Sequence, residues 1–331
     1  MNPITRLTGR LARTQALAVA AWREALAADR DVVTLDDLLV AALTQGGPTA
    51  RILARHGLTP GLLRDAVRRR DAEDLASVGV VLPDAAPVRL ALPLGRERHV
   101  DLTPEARQAL DGGSRSDVAL LRVLLHHPSG RPARALTLAG ADLDALRADL
   151  DDDAAPAPTR PSATGGAARV PGLLDGVRET TIAAERFLPV PPEAVRRVVT
   201  EPELMRRWML ADVEEVTVDG DVLRSRHRRA TGEGGPGREL TVELRRLDAD
   251  ADSATWQHVH PEQADPRGAY LRVELRPAEG GTDVRIVRGL RVFGRLGPLV
   301  RPVGALAARA GMPGVFQQLG ALGEEVVGPA W

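Results

Sequence analysis

The 331-residue chain contains no cysteine, which excludes disulfides, zinc–thiolate centres and thiol nucleophiles. It contains no lysine either, so all 44 basic residues are arginine. That excludes Schiff-base chemistry and any P-loop, whose lysine must reach the nucleotide phosphates. Asparagine occurs once, at Asn2, amid abundant Ala, Arg, Gly and Pro, as in a GC-rich coding sequence. Aromatic side chains are scarce: four Trp, one Tyr and three Phe. With a net charge of −1, the chain lacks the basic face and stacking rings of a nucleic-acid binder, so no nucleic acid is expected as a partner. Long hydrophobic runs are missing too. Arg6, Arg10 and Arg13 precede QALAVAAW in the manner of a signal peptide, but Arg23 and Glu24 follow at once and the run is too short to span a bilayer. Leu7, Leu11, Leu17, Ala21 and Ala25 keep a helical stripe instead. A soluble, cytoplasmic protein without a membrane partner is expected. No G-x-S-x-G elbow occurs and no carboxylates paired at helical spacing point to acid–base work, so no catalytic residue and no cofactor is assigned.

What is present begins with a repetition. The stretch DDLLVAALTQGGPTARILARHGLTPGLLRDAV (36–67) is echoed by DVALLRVLLHHPSGRPARALTLAGADLDALRADL (117–150). With one residue inserted in the second turn, Ala50, Arg51, Leu53, Gly57, Leu63 and Arg64 fall on Ala133, Arg134, Leu136, Gly140, Leu146 and Arg147. Self-similarity at a fixed spacing marks one supersecondary unit used repeatedly. Leu38, Leu39, Ala42 and Leu43 have helical spacing, and Gly46, Gly47 and Pro48 stop and restart the chain. Gly57 stands where a helix ends in a left-handed residue. Thr59 then offers an N-cap, with Pro60 at the first helical position; Gly140 and Asp142 play the same parts in the second copy. Such a three-helix unit has an apolar face it cannot bury alone, so the copies should pack into one all-α domain over residues 1–150.

The repeated pattern L-L-x-x-L, glycine-rich turn, A-R-x-L-x-x-x-G and capped L-L-R-x-x-V resembles the Clp N-terminal (Clp repeat) domain. LASVGVVLPDAAPV and the later Leu102-Thr103-Pro104-Glu105-Ala106 are similar to the family's link between repeats. The resemblance covers Thr5 to about Leu150 and implies docking of substrate peptides, adaptors or Clp protease components. Family members that recognise phosphoarginine carry an acid before each L-L helix. Asp36 matches it in the first copy, whereas the second has Val118 there and Asp117 one residue off. Family domains also bind hydrophobic cyclic peptides over the first helix, which implies peptide-binding roles for Ile4, Leu7 and Arg13. Without a P-loop the chain lacks the ATPase engine of a Clp unfoldase.

Residues 151–172, running DDDAAPAPTRPSATGGAARVPG from Asp151, combine acid, Ala-Pro alternation and Gly-Gly; they read as a flexible linker permitting relative motion of the two halves. Beyond it, over residues 173–331, the grammar changes. Thr181 to Phe187 is strand-like, PEAVRRVV and LMRRWM are short helices, and six strand-like runs follow: VEEVTV, DVLRSRH, ELTVELRRL, ATWQHVH, AYLRVELR and DVRIVRGLRV. Leu240, Val242 and Leu244 alternate, as do Leu271, Val273 and Leu275, the mark of an antiparallel sheet with one buried face. Leu299 to Val327 is a long helical stretch.

This order, with its opening V-P-P-E-A-V-x-x-x-V-T-E-P-E-L-M-x-x-W, resembles the START-like (SRPBCC, polyketide cyclase/dehydrase type) helix-grip fold over about Glu179 to Val327. The fold class is therefore multidomain: an all-α double repeat of Clp N type followed by an α+β helix-grip domain with an antiparallel sheet. The second resemblance implies a hydrophobic small molecule held between sheet and helix, with Trp208, Trp256, His258, Leu271, Val273, Val284, Ile286 and Phe316 as its contacts. Trp208 and Trp256 either line the mouth of such a site or pack in the core. His258 and His260, with Glu262 and Asp265 near, have metal-ligand character, but Pro261 ends the strand and no third inward ligand is identifiable, so no metal is assigned. Arg224, Arg226, Arg228, Arg229 and Arg238 flank TGEGGPG and form either an anion clamp or a solvated rim. Adjacent His126 and His127 complement a helix C-terminus.

Two functions from different classes follow. One is a non-catalytic binding protein, with the helical half recognising a peptide, a Clp partner or a peptide antibiotic and the other half holding a hydrophobic ligand. The other is a cyclase-type enzyme recruited to Clp proteolysis by its N-terminal domain.

Overall fold

The computed structural model describes residues 3–80, 101–113, 116–152, 170–210, 213, 215–229, 238–291 and 297–328, although not the side chains of 3–13, 152, 227–229, 238–240 and 297–310. Residues 153–169 of the expected linker lie outside the described residues.

The N-terminal half is helical. Helix α1 (Pro3–Ala27) leads through β1 (Val32–Val33) to α2 (Leu35–Thr44), α3 (Pro48–Arg55) and α4 (Pro60–Ser77). Strand β2 (Asp101–Leu102) and α5 (Pro104–Gly113) then precede α6 (Asp117–Leu125), α7 (Arg131–Leu138) and α8 (Leu143–Asp152). The local chemistry acts as the sequence implies. Gly57 and Gly140 end α3 and α7 with φ of 72° and 97°. The Thr59 hydroxyl accepts from the Leu62 N–H at 3.3 Å, and the Asp142 carboxylate accepts from the N–H groups of Asp144 and Ala145. Leu38, Leu43 and Leu53 of the first unit share one core with Leu121, Leu124 and Leu136 of the second. The parallel pair β1–β2, Val32 opposite Asp101, is invisible to pattern reading because two residues carry no periodicity.

The C-terminal half runs β3 (Glu179–Leu188), α9 (Pro192–Thr200), α10 (Pro202–Met209), β4 (Val216–Asp219), β5 (Val222–Arg229), β6 (Arg238–Ala249), β7 (Ser253–Val259), β8 (Arg267–Ala278), β9 (Gly281–Arg291) and α11 (Gly297–Val327). The strands form one seven-stranded antiparallel sheet in the order β3-β9-β8-β7-β6-β5-β4. Bulges at Arg246/Asp248 and His258/Val259 bend it. Helices α9, α10 and α11 lie on the inner face, where Val195, Met205, Met312, Phe316 and Leu319 meet the inward strand residues. The outer face of β3, β9 and β8 is covered by the chain arriving at the sheet. There Leu174 packs on Ala183, Tyr270 and Val287, and the Val170 N–H donates to the Tyr270 hydroxyl at 3.0 Å.

Composition suggested halves free to move, but the structure seats one on the other. Strand β3 is an edge of the sheet, with unpaired backbone groups that need a cover. Helix α3 and its leading turn supply it: the Gly47 N–H donates to the Phe187 carbonyl at 2.7 Å, and Arg186 donates to the Gln45 carbonyl at 2.6 Å. Phe187 itself belongs to the helical core at 2% exposure, with the Arg51 guanidinium 4.7 Å from its ring centroid. Arg51 also pairs with Asp283 of β9. Among the described residues, no helix is long and apolar enough to cross a membrane.

Candidate functional site: the inner face of the sheet beneath α11

Register places the inward side chains in rows across the strands. One row runs Ile182, Arg288, Leu271, Trp256. The next, toward the ends of β3 and β9, runs Thr180, Leu290, Ala269, His258, Leu244, Leu223. On the other side of the first row stand Ala184, Ile286, Val273 and Ala254, followed by Val284 and Leu275. Alternation sends every second residue to the outer face, which carries a charge ladder instead: Arg272 and Arg285 both bond Glu274.

Seven of the eight expected contacts converge in one buried cluster: Trp208, Trp256, Leu271, Val273, Val284, Ile286 and Phe316. The two tryptophans pack in the core and tie elements together. Trp256 is fully buried and its indole N–H donates to the Val199 carbonyl of α9 at 2.8 Å. Trp208, 3% exposed, donates to the Val315 carbonyl of α11 at 3.0 Å. The eighth contact, His258, shares their face but stays half-buried, next to Ala269 and Leu244. Its neighbour His260 falls beyond the end of β7, with its N–H donating to the Pro266 carbonyl, so the two imidazoles do not share a strand face. Among the described residues no group of three metal-ligating side chains occurs.

Pattern reading passed over two polar residues on this face. Arg288 is half-buried, and burial pushes its guanidinium below the ordinary arginine value with no described carboxylate to offset it. Thr180 is 8% exposed and its hydroxyl has no partner among the described residues. The signal was present in DVRIVRGLRV, where Val284, Ile286, Arg288 and Leu290 alternate on one face.

In the helical half, Asp36 is 3% exposed and gives both carboxylate oxygens to Arg70, at 2.8 and 2.6 Å; Arg131 approaches one of them at 3.3 Å. A peptide cation at Asp36 would have to compete with that pairing. Ile4, Leu7 and Arg13 all lie on α1, and their side chains are outside those described. A shallow cleft does open farther along α1, lined by Leu17, Leu110, Gly113, Asp117 and Leu120. In the arginine group, Arg224 is taken by Glu243 at 2.9 Å and Asp219 at 3.1 Å, as on a solvated rim; the side chains of Arg228, Arg229 and Arg238 lie outside those described. His126 caps α6, its ring nitrogen 2.9 Å from the Arg122 carbonyl.

An antiparallel sheet wrapped on one long C-terminal helix over an apolar inner face is the helix-grip class of fold. Residues 179–324 match the family described as polyketide cyclase / dehydrase and lipid transport. The chain is similar to a solved protein from Mesorhizobium loti at 18% identity, over 42% of this chain and 96% of that one, with a TM-score of 0.29. It is similar to a protein of unknown function from Staphylococcus aureus at 16% identity, over 46% and 98%, with a TM-score of 0.34. A Thermus thermophilus protein gives 23% identity over 45% and 97%, with a TM-score of 0.30. No curated protein matches the chain.

Proposed function

We propose that this is a non-catalytic binding protein whose C-terminal domain holds a hydrophobic small molecule between the inner face of the sheet and α11. The helical domain acts as a Clp-repeat-type recognition module for a peptide or a Clp component. The domains are residues 1–150 and 173–331, joined by 151–172. The observation that carries the ligand reading is the convergence of Leu271, Val273, Val284 and Ile286 from adjacent strands with Phe316 from α11 on one apolar face. The cleft beside α1 supports the recognition reading, because it lies on the helix where the resemblance puts peptide contacts. The second reading, a cyclase-type enzyme, is favoured by one observation: Arg288 and His258 share the inner face, a polar pair of the sort an enolising site would use.

Native mass spectrometry of the full-length protein from its own host tests the first reading. A retained adduct of lipid-like mass, lost on extraction with organic solvent, is the expected result. A protein that stays bare, and takes up neither decanoate nor 1-decanol when offered them, would overturn it.

A further inference from the structure

We infer that the ligand of the inner face is an apolar molecule ending in a carboxylate, bound head-first by Arg288 with the Thr180 hydroxyl beside it. The inference rests on the hydrophobic-ligand reading above and adds a head group to it.

Charge complementarity selects the carboxylate. Arg288 stands between Ile182 and Leu271 in its row, with Ile286 and Leu290 on either side along β9. Among the described residues no acid shares this face. Glu179 accepts from the Tyr270 hydroxyl on the outer face, Glu274 bonds Arg285 there, and Asp283 pairs with Arg51 of the helical half. The covering helix has no Asp or Glu before its last turn, where Glu324 is held by Arg64 and Glu325 by Arg207. A guanidinium stripped of water without an anion is strongly penalised. An apolar ligand entering beneath α11 would displace the water that still reaches Arg288, and would impose that penalty unless it brought an anion of its own.

Thr180 is the second, independent observation. It is opposite Leu290, on the diagonal from Arg288, and its buried hydroxyl is unpartnered among the described residues. Diagonal side chains on adjacent strands lie roughly 7 Å apart, a gap that one carboxylate bonded to both can bridge. One cation and one hydroxyl match a singly charged, planar head, which guanidinium binds through two parallel N–H···O bonds. The tail would run along Leu271 and Leu290 toward His258, two strands away, a span on the order of 10 Å.

Calorimetric titration of the full-length protein at pH 7.5 with decanoate and with 1-decanol separates head from tail. Wild type should prefer decanoate at least tenfold. Arg288→Gln should erase the preference while holding 1-decanol affinity within about twofold, and Thr180→Val should narrow it several-fold. Should Arg288→Gln fail to fold, the wild-type comparison still decides, and Arg288→Lys, which keeps the charge but not the fork, should retain part of the preference. Equal affinity of wild type for the two probes overturns this inference and leaves the hydrophobic-ligand reading standing. Binding of neither probe overturns both.

Discussion

Arg64 of α4 and Glu324 of α11 meet at 2.7 Å across the junction between the helical half and the sheet half, far from each other in sequence. The same guanidinium holds Glu24 of α1 at 2.8 Å, so one cation serves two carboxylates that are 8% and 7% exposed. Burial by itself would push Arg64 down, but the two carboxylates hold it well above the ordinary arginine value. Glu324 is pushed up, chiefly by burial and further by Glu24, with Arg64 opposing. The last helix of the sheet half is thereby clamped to the first and fourth helices of the other.

Arg64→Ala leaves two buried carboxylates facing each other and should cost about 3–5 kcal/mol, read by urea denaturation. Adding Glu324→Gln to that variant should recover part of the loss, because the second uncompensated charge is gone. A double variant less stable than the single would contradict the clamp.

Gly46→Ala should loosen the seat of α3 on β3. Gly46 has φ of 74°, and an added Cβ would press into the Phe187 carbonyl oxygen. A strained left-handed residue plus that clash should cost about 1–3 kcal/mol. Calorimetry should then show the two halves melting separately; an unchanged single transition would count against edge covering by α3.

Asp37 sets a pH dependence. Burial raises its carboxyl from 3.8 to about 6, against the lowering effects of Arg30 and the Thr34 N–H. The native state therefore holds a proton that the unfolded chain releases between about pH 4 and 6, and through that window this group makes stability fall as pH rises. Asp37→Asn should flatten that decline in a pH series of thermal melts. A slope unchanged by the substitution would show that another group is responsible.

Tyr270→Phe removes the hydroxyl that accepts from the Val170 N–H and donates to Glu179 at 2.7 Å. Burial, reinforced by Glu179, pushes this phenol up to about 12. The variant should lose about 1–2 kcal/mol and exchange the Val170 amide faster, read by hydrogen exchange. Unchanged exchange would mean that Leu174 packing alone holds the segment.

Much of the fold was legible because its signals are local. Gly57 and Gly140 as left-handed stops, Thr59 and Asp142 as caps, and the alternation in β6 and β8 each act within a few residues. The apolar members of the candidate site were legible as a buried face for the same reason: Leu271 and Val273, like Val284 and Ile286, mark which face of a strand seeks burial. The polar members were not. Arg288 was passed over because an arginine in a strand ordinarily points to water, and Thr180 because a lone threonine carries no pattern.

By itself, then, the sequence determined where elements start, stop and turn, which faces are apolar, and that no thiol or lysine chemistry exists in the chain. Tertiary structure decided the rest. It placed Phe187 in the other half's core, joined Arg64 to Glu324, and set Arg288 on an inner face that no acid shares among the described residues. Propensity and capping depend on neighbours in the chain, whereas desolvation and charge pairing depend on which surfaces meet, and only the assembled fold specifies that.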